Sequence, residues 1–306
     1  MEHRPIMLHE VIEALNIKAN GIYVDATFGR GGHSTEILKR LKEGSLIVFD
    51  QDEEAIKVAQ LLQKSYPTKL IICRENFRNL NKTLTKLSID HVDGILLDLG
   101  VSSPQFDDPK RGFSYRYDAR LDMRMDQSQE LDAYHVVNHY PFEKLTYIFS
   151  HYGEEKFAKQ IARKIEHERA IKPIETSLEL VNVMKRALPM KVLSQKGHPA
   201  KQVFQAIRIE VNQELEVLEE VLDQAAQHLH PDGRLVIITF HSLEDRMVKK
   251  FMQKLSTVDM PAKLPIQGIP ETDYEHLTHK VIIPTAAECE MNPRAHSAKL
   301  RILRKR

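Results

Sequence analysis

The first hundred residues alternate short apolar runs with amphipathic stretches, and this alternation restricts the chain more than any other feature. GIYVDATF (21–28), SLIVFD (45–50), KLIICREN (69–76) and DGILLDLG (93–100) read as strands. HSTEILKRLK (33–42), DEEAIKVAQLLQKS (52–65) and a short stretch near 79–87 read as the helices between them. Consecutive parallel strands need a helix-sized crossover, so the pattern demands a parallel sheet covered on both faces. The expected fold class is α/β.

After Gln105 the character changes. Residues 106–130 read as a loop that mixes charge with Phe and Tyr, and 131–190 carry helical periodicity broken at Pro141, Pro173 and Pro189. Phe157, Ile161 and Ile165 form an i, i+4, i+8 stripe, and Thr176 with Glu179 has capping-box spacing. The α/β pattern then resumes with one long helix (201–229), a PDG turn (231–233), a strand (233–240) and a helix through LEDRMVKKFMQK. VIIP (281–284) and KLRILRKR (299–306) read as late strands, the second a packed edge strand through Leu300, Ile302 and Leu303. The expected organisation is an α/β domain over 1–105 and 212–306, interrupted by a helical domain over 106–211.

Composition narrows the function classes. No apolar run is long enough to span a bilayer, and the N-terminal MEHRPIMLHE lacks the basic-then-apolar order of a signal peptide. Cys73 and Cys289 make neither a disulfide framework nor a CxxC zinc pair, so a reducing, cytoplasmic setting is expected. His135 and His139 stand at i, i+4 but lack the glutamate and third ligand of a zinc site, so no metal is expected. With 44 Lys+Arg against 43 Asp+Glu, any nucleic-acid contact must come from local patches.

The sharpest local signal is DATFGRGGH (25–33), between the first strand and first helix. Glycines there let backbone approach a ligand, and the helix N-terminus offers unpaired N–H groups. Asp50 closes the second strand, where a carboxylate can take both hydroxyls of a ribose, and Asp98 closes the fourth at the same sheet edge. A dinucleotide fingerprint needs a third glycine where Ser34 stands, which argues against an NAD enzyme. Asp25 stands four residues before Gly29, and this D-x-x-x-G-x-G layout resembles the S-adenosylmethionine site of Rossmann-like methyltransferases. Asp25 can equally serve only to stabilise the turn.

DLGVSSPQFDD (98–108) follows the fourth strand, where amino-methyltransferases of bases carry [DNS]-P-P-[YF]. The lone pair of cytosine N4 is delocalised into the ring, so acceptors must hold its N–H groups while an aromatic stacks the base. Ser103 and Pro104, with Phe106 nearby, are the candidates for positioning the target amine, although Gln105 occupies the aromatic position. No cysteine lies here for attack at C5, so nitrogen is the better target. His241, at the end of a late strand, can face the target base, while Ser242 and Asp245 have capping-box-like spacing. Arg111, Arg116, Arg120 and Arg124, interleaved with Phe113, Tyr115 and Tyr117, can contact phosphates and stack bases; internal ion pairs with Asp118, Asp122 and Asp126 are the alternative.

DATFGRGGHS, DGILLDLGVSSPQFDDPKRGFSYRYDARLDMRMD, GHPAKQVFQAIRIEVNQEL, ITFHSLEDRMVKKF and NPRAHSAKLRILRK together closely resemble the bacterial ribosomal RNA small-subunit methyltransferase H family, also called MraW. The resemblance implies a Rossmann-like S-adenosylmethionine-dependent methyltransferase fold with an inserted all-helical domain. It implies methylation of N4 of a cytidine in 16S rRNA, in the decoding centre near the P site, within the 30S subunit or a late assembly intermediate. It assigns cofactor contacts to Gly31, Gly32 and His33, to Asp50, to Phe77 beside the adenine, and to Asp98 and Gln105. A DNA amino-methyltransferase would carry the full proline-aromatic tetrapeptide. A silent rRNA-binding assembly factor would have no need of Asp25, Gly31, Asp50 and Asp98 together.

Overall fold

In the computed structural model, which describes residues 5–194, 197–257, 272–278 and 280–306, seven strands form. These are β1 (Ile22–Asp25), β2 (Ser45–Phe49), β3 (Leu70–Cys73), β4 (Val92–Asp98), β5 (Leu229–Thr239), β6 (Tyr274–His276) and β7 (Lys299–Lys305). They build one sheet in the order β3-β2-β1-β4-β5-β7-β6. β1 to β5 are parallel, while β7 runs antiparallel between β5 and β6. This is a Rossmann-like α/β sheet with one reversed strand inserted near its end.

Alternation along each strand assigns the two covered faces. Tyr23, Leu46, Val48, Leu96, Val236 and Ile238 enter one apolar cluster, which also contains Ile37 and Leu38 of helix Gly32–Arg40. Val24, Ile47, Phe49, Ile95, Leu97, Leu235 and Ile237 enter the other, with Leu218, Val221 and Leu222 of helix Glu214–Gln227. Asp25, Asp50 and Asp98 share the parity of Tyr23, Val48 and Leu96. All three carboxylates therefore belong to the first face at the carboxyl ends of neighbouring strands. The chain runs from β1 outward to β2 and β3, then returns to β4 on the other side of β1. That reversal is the topological switch point where open α/β sheets bind ligands.

The chain divides into two compact units, residues 1–100 with 215–306, and residues 101–214. The sequence puts the cuts at 105/106 and 211/212. The first cut moves because the segment after β4 forms helix Ser103–Asp107, capped by Ser102, and Val101 and Phe106 pack in the second unit. That unit has its own core, with Leu145, Ile148, Phe149, Ile161, Ile165, Leu180, Met184, Val203 and Ile207 from four helices. The capping box of Thr176 and Glu179 is present.

Several expectations need correction. The long helix over 201–229 is two helices, Lys201–Asn212 and Glu214–Gln227, because Gln213 adopts a left-handed conformation (φ 52°). The PDG turn lies inside β5, where Asp232 has φ 63° and the pairing with β4 shifts register. The tail strand is not an edge: β6 covers β7, and Arg301 is buried against Asp245 beside the apolar Leu300 and Leu303. VIIP contributes only an isolated bridge from Ile282 to Leu300. Among the described residues, no helix is long and apolar enough to cross a membrane.

Candidate active site

Two left-handed glycines, Gly29 (φ 55°) and Gly31 (φ 71°), turn the chain from β1 into helix Gly32–Arg40. A Cβ on Gly31 would stand 2.6 Å from Cζ of Phe28, and one on Gly32 would stand 2.6 Å from Cγ of Pro5. The helix begins at Gly31 with no side-chain cap, so its first N–H groups are open to an acceptor.

Three carboxylates surround this turn. Asp25 is 1% exposed and engaged on both oxygens: Oδ1 accepts from Thr27 N at 3.1 Å and Oδ2 from Ser34 Oγ at 2.6 Å. These bonds order the turn, the structural role its sequence position also allows. Ser34, read from sequence only as a missing glycine, is its anchor and is fully buried. Asp50 accepts from Gly29 N and Asp52 N, both at 2.8 Å, which fixes the carboxylate and leaves one lone pair on each oxygen. Thr27 Oγ1 accepts from Asp98 N at 2.7 Å, tying the ends of β1 and β4 together.

Asp98 is the unusual member. Its Oδ1 is buried with no hydrogen-bond partner among the described residues, although its side chain as a whole is 25% exposed. Its Oδ2 lies 3.7 Å from His33 Nδ1. His33 Nε2 is 3.0 Å from the carbonyl of Ile6, which can only accept, so that nitrogen carries a proton. Desolvation, reinforced by Asp25 and Glu244, pushes Asp98 up to about 8. Burial also raises Asp25 and Asp50, each to about 6. A buried acceptor without a donor, beside a turn stripped of Cβ atoms and a carboxylate with open lone pairs, fits a ligand carrying a cationic or N–H donor and a vicinal diol.

Phe77 begins the 3₁₀ helix Phe77–Asn79 after β3 and is half-buried against the second face of the sheet. Asn76 caps that helix and donates from Nδ2 to Gln51 Oε1 at 3.0 Å. Gln105 lies in the second unit, where its Oε1 accepts from Ser102 N at 2.9 Å as the closing half of a capping box. Pro104 occupies the first turn of that helix, where its missing N–H costs nothing. The expectation for Ser103 concerns a side chain outside the described residues.

The His241 ring, 7% exposed, caps helix Ser242–Ser256: its Nδ1 accepts from Glu244 N at 3.4 Å, and Glu244 Oε2 returns the contact to His241 N. The capping box is therefore His241 with Glu244, one residue earlier than Ser242 with Asp245, and it commits the ring to the helix start. Asp245 instead binds Lys299 at 3.0 Å and Arg301 at 2.8 Å.

The four arginines separate. Arg111 is 6% exposed and donates to the carbonyls of Arg124 and Met125 at 2.9 and 3.1 Å, so it is a packing residue rather than a phosphate contact. Arg120 pairs with Asp122 and Asp132, and Arg124 with Asp122. Only Arg116 of the four is exposed with no ion pair among the described residues. Arg111→Ala removes two hydrogen bonds to carbonyls of a half-buried segment and the buried packing of the side chain, so a loss of about 2–3 kcal/mol is expected in urea unfolding. An unchanged midpoint would contradict this placement.

A sequence profile described as the MraW methylase family matches residues 1–306. The ribosomal RNA small subunit methyltransferase H of Streptococcus pyogenes serotype M4 is 55% identical, over 99% of this chain and 97% of that protein. An rRNA methylase from Streptococcus thermophilus aligns with a TM-score of 0.41 at 12% identity, over 100% of this chain and 98% of that one. A SAM-dependent O-methyltransferase from Thermotoga maritima aligns at 0.41 and 9%, over 99% and 67%. Structural likeness at that level carries no weight beside the strand order. On the full-length profile match and the 55% identity, the chain belongs to the MraW methylase family.

Proposed function

We propose that this chain methylates the exocyclic N4 of a cytidine in 16S rRNA, in the decoding centre near the P site. As a member of the MraW methylase family it is an S-adenosylmethionine-dependent rRNA methyltransferase of the small subunit. The observation that carries the finer reading is the buried Oδ1 of Asp98, without a hydrogen-bond partner among the described residues, at the end of the strand that runs on into the segment 101–108.

When bound, S-adenosylmethionine supplies an electrophilic methyl group on a sulfonium. Asp50 receives the ribose hydroxyls on its open lone pairs, and Gly31, Gly32 and His33 form the wall of the turn. Phe77 borders the adenine. Asp98 would accept from a donor of the ligand, and the family resemblance adds Gln105, whose Oε1 already accepts from Ser102 N. The chain's contribution to transfer is in-line placement and exclusion of water rather than a strong base. Ser103 and Pro104 orient the target amine. Nitrogen is favoured over C5 because C5 chemistry needs a thiolate, and Cys73 at the end of β3 is pushed up to about 11 by burial. The substrate is 16S rRNA within the 30S subunit or a late assembly intermediate, and the setting is the cytoplasm.

Labelled S-adenosylmethionine offered with 30S particles, naked 16S rRNA and DNA tests this reading. Label in ribosomal substrates alone is expected. Label in DNA alone would establish a DNA amino-methyltransferase instead.

A further inference from the structure

The helical unit holds a group of side chains that the methyl-donor site does not use. The ring of Tyr115, in the loop before helix Ala133–His139, stacks on His198 with centroids 4.3 Å apart and planes 14° apart. Phe204 of helix Lys201–Asn212 meets Tyr115 edge-on at 5.7 Å, which holds the tyrosine in place from behind. Arg116 and Lys185 approach closely enough that their charges, after burial, lower the pKa of His198. Both cations are exposed and neither has an ion pair among the described residues. The neighbouring Arg186, by contrast, pairs with Glu168 at 2.8 Å.

The imidazole is also oriented. His198 Nδ1 accepts from Ala200 N at 3.2 Å, so in the neutral ring Nε2 carries the proton and points a donor away from the backbone. Three segments distant in sequence thus bring together an aromatic stack, two unpaired cations and a fixed N–H donor. A protein partner would have to supply carboxylates and an aromatic at this same spacing. A nucleotide has an anion and a planar base joined in one unit, and single-stranded RNA repeats that unit.

Resting on the rRNA reading above, we propose that Tyr115, His198, Arg116 and Lys185 form a docking subsite for one nucleotide of single-stranded RNA. The base extends the Tyr115–His198 stack, the phosphate lies between Arg116 and Lys185, and His198 Nε2–H donates to an oxygen of the nucleotide.

The test is fluorescence anisotropy of the full chain with a labelled single-stranded RNA oligonucleotide of mixed sequence. The Arg116→Ala/Lys185→Ala double variant is expected to bind about tenfold or more weakly, with a salt slope shallower by about 0.7, because the one phosphate held between the two cations is no longer neutralised. His198→Ala is expected to weaken binding about fivefold or more, and His198→Phe to recover most of that loss because it keeps the stacking face. Circular dichroism and S-adenosylmethionine affinity should match wild type in all three. RNA affinity of the double variant and of His198→Ala within twofold of wild type would overturn the subsite. So would unchanged RNA affinity with lost binding to small-subunit particles, which would assign the patch to a ribosomal protein. Failure of the wild type to methylate cytidine would refute the preceding reading while leaving this binding result intact.

Discussion

Asp98→Asn is expected to weaken S-adenosylmethionine binding by about 30-fold or more while making the ligand-free protein more stable. Removing one charged partner from a buried pair costs at least about 2 kcal/mol, which is about 30-fold in affinity. The gain in stability follows from linkage. The folded carboxyl sits near 8 against 3.8 for the ordinary group, so between those values the native state binds more protons than the unfolded chain. Stability contributed by this group is therefore present at low pH and lost as pH rises from about 4 to 8. Asn carries no charge and removes that cost, about 1–2 kcal/mol at pH 7 after discounting for the partial exposure of the side chain. Calorimetric titration and thermal melts at pH 5 and pH 7 measure both effects. Wild-type affinity in the variant, or a lower melting temperature at pH 7, would contradict the role given to Asp98. Binding of a cationic ligand to the wild type at pH 7 should also release close to one proton, read from titrations in buffers of different ionisation enthalpy.

Gly31→Ala is the second large effect. The position has φ 71°, where a side chain costs about 1–2 kcal/mol, and the new methyl would meet the Phe28 ring at 2.6 Å. Phe28 is buried in the first-face apolar cluster, so its ring can move aside only by displacing packed neighbours. The expected outcome is a loss of about 2–4 kcal/mol in unfolding free energy, together with at least tenfold weaker methyl-donor binding. Gly197→Ala provides the control, because it too has positive φ (110°) but nothing within 4 Å of the added carbon. Equal behaviour of the two variants would mean that close approach at Gly31 plays no part.

Strand ends made much of the candidate site legible in the sequence. Asp25, Asp50 and Asp98 end apolar runs, and a parallel sheet must bring those ends to one edge; their shared face follows from the packed clusters. What stayed hidden depended on tertiary contacts with no local signal. Ser34 looked like a defect in a glycine pattern, whereas its hydroxyl holds Asp25. Arg111 sits in a charged loop and reads as solvent-facing, yet two backbone carbonyls draw its guanidinium inward. Gln213 breaks a helix without glycine or proline, so periodicity ran straight through it. The short YEH strand β6 has no apolar run of its own and exists because β7 offers it an edge. His198 and Lys185 lie some 70 to 80 residues from Tyr115 in sequence, and only the packing of the helical unit joins them.

The most direct measurement of the central claim is nucleoside mass spectrometry of 16S rRNA taken from 30S particles after reaction with labelled S-adenosylmethionine. The account predicts a single labelled species, N4-methylcytidine, absent when Asp98→Asn replaces the wild type. Label in 5-methylcytidine or in a ribose 2′-O-methyl group, with none on N4, would contradict it.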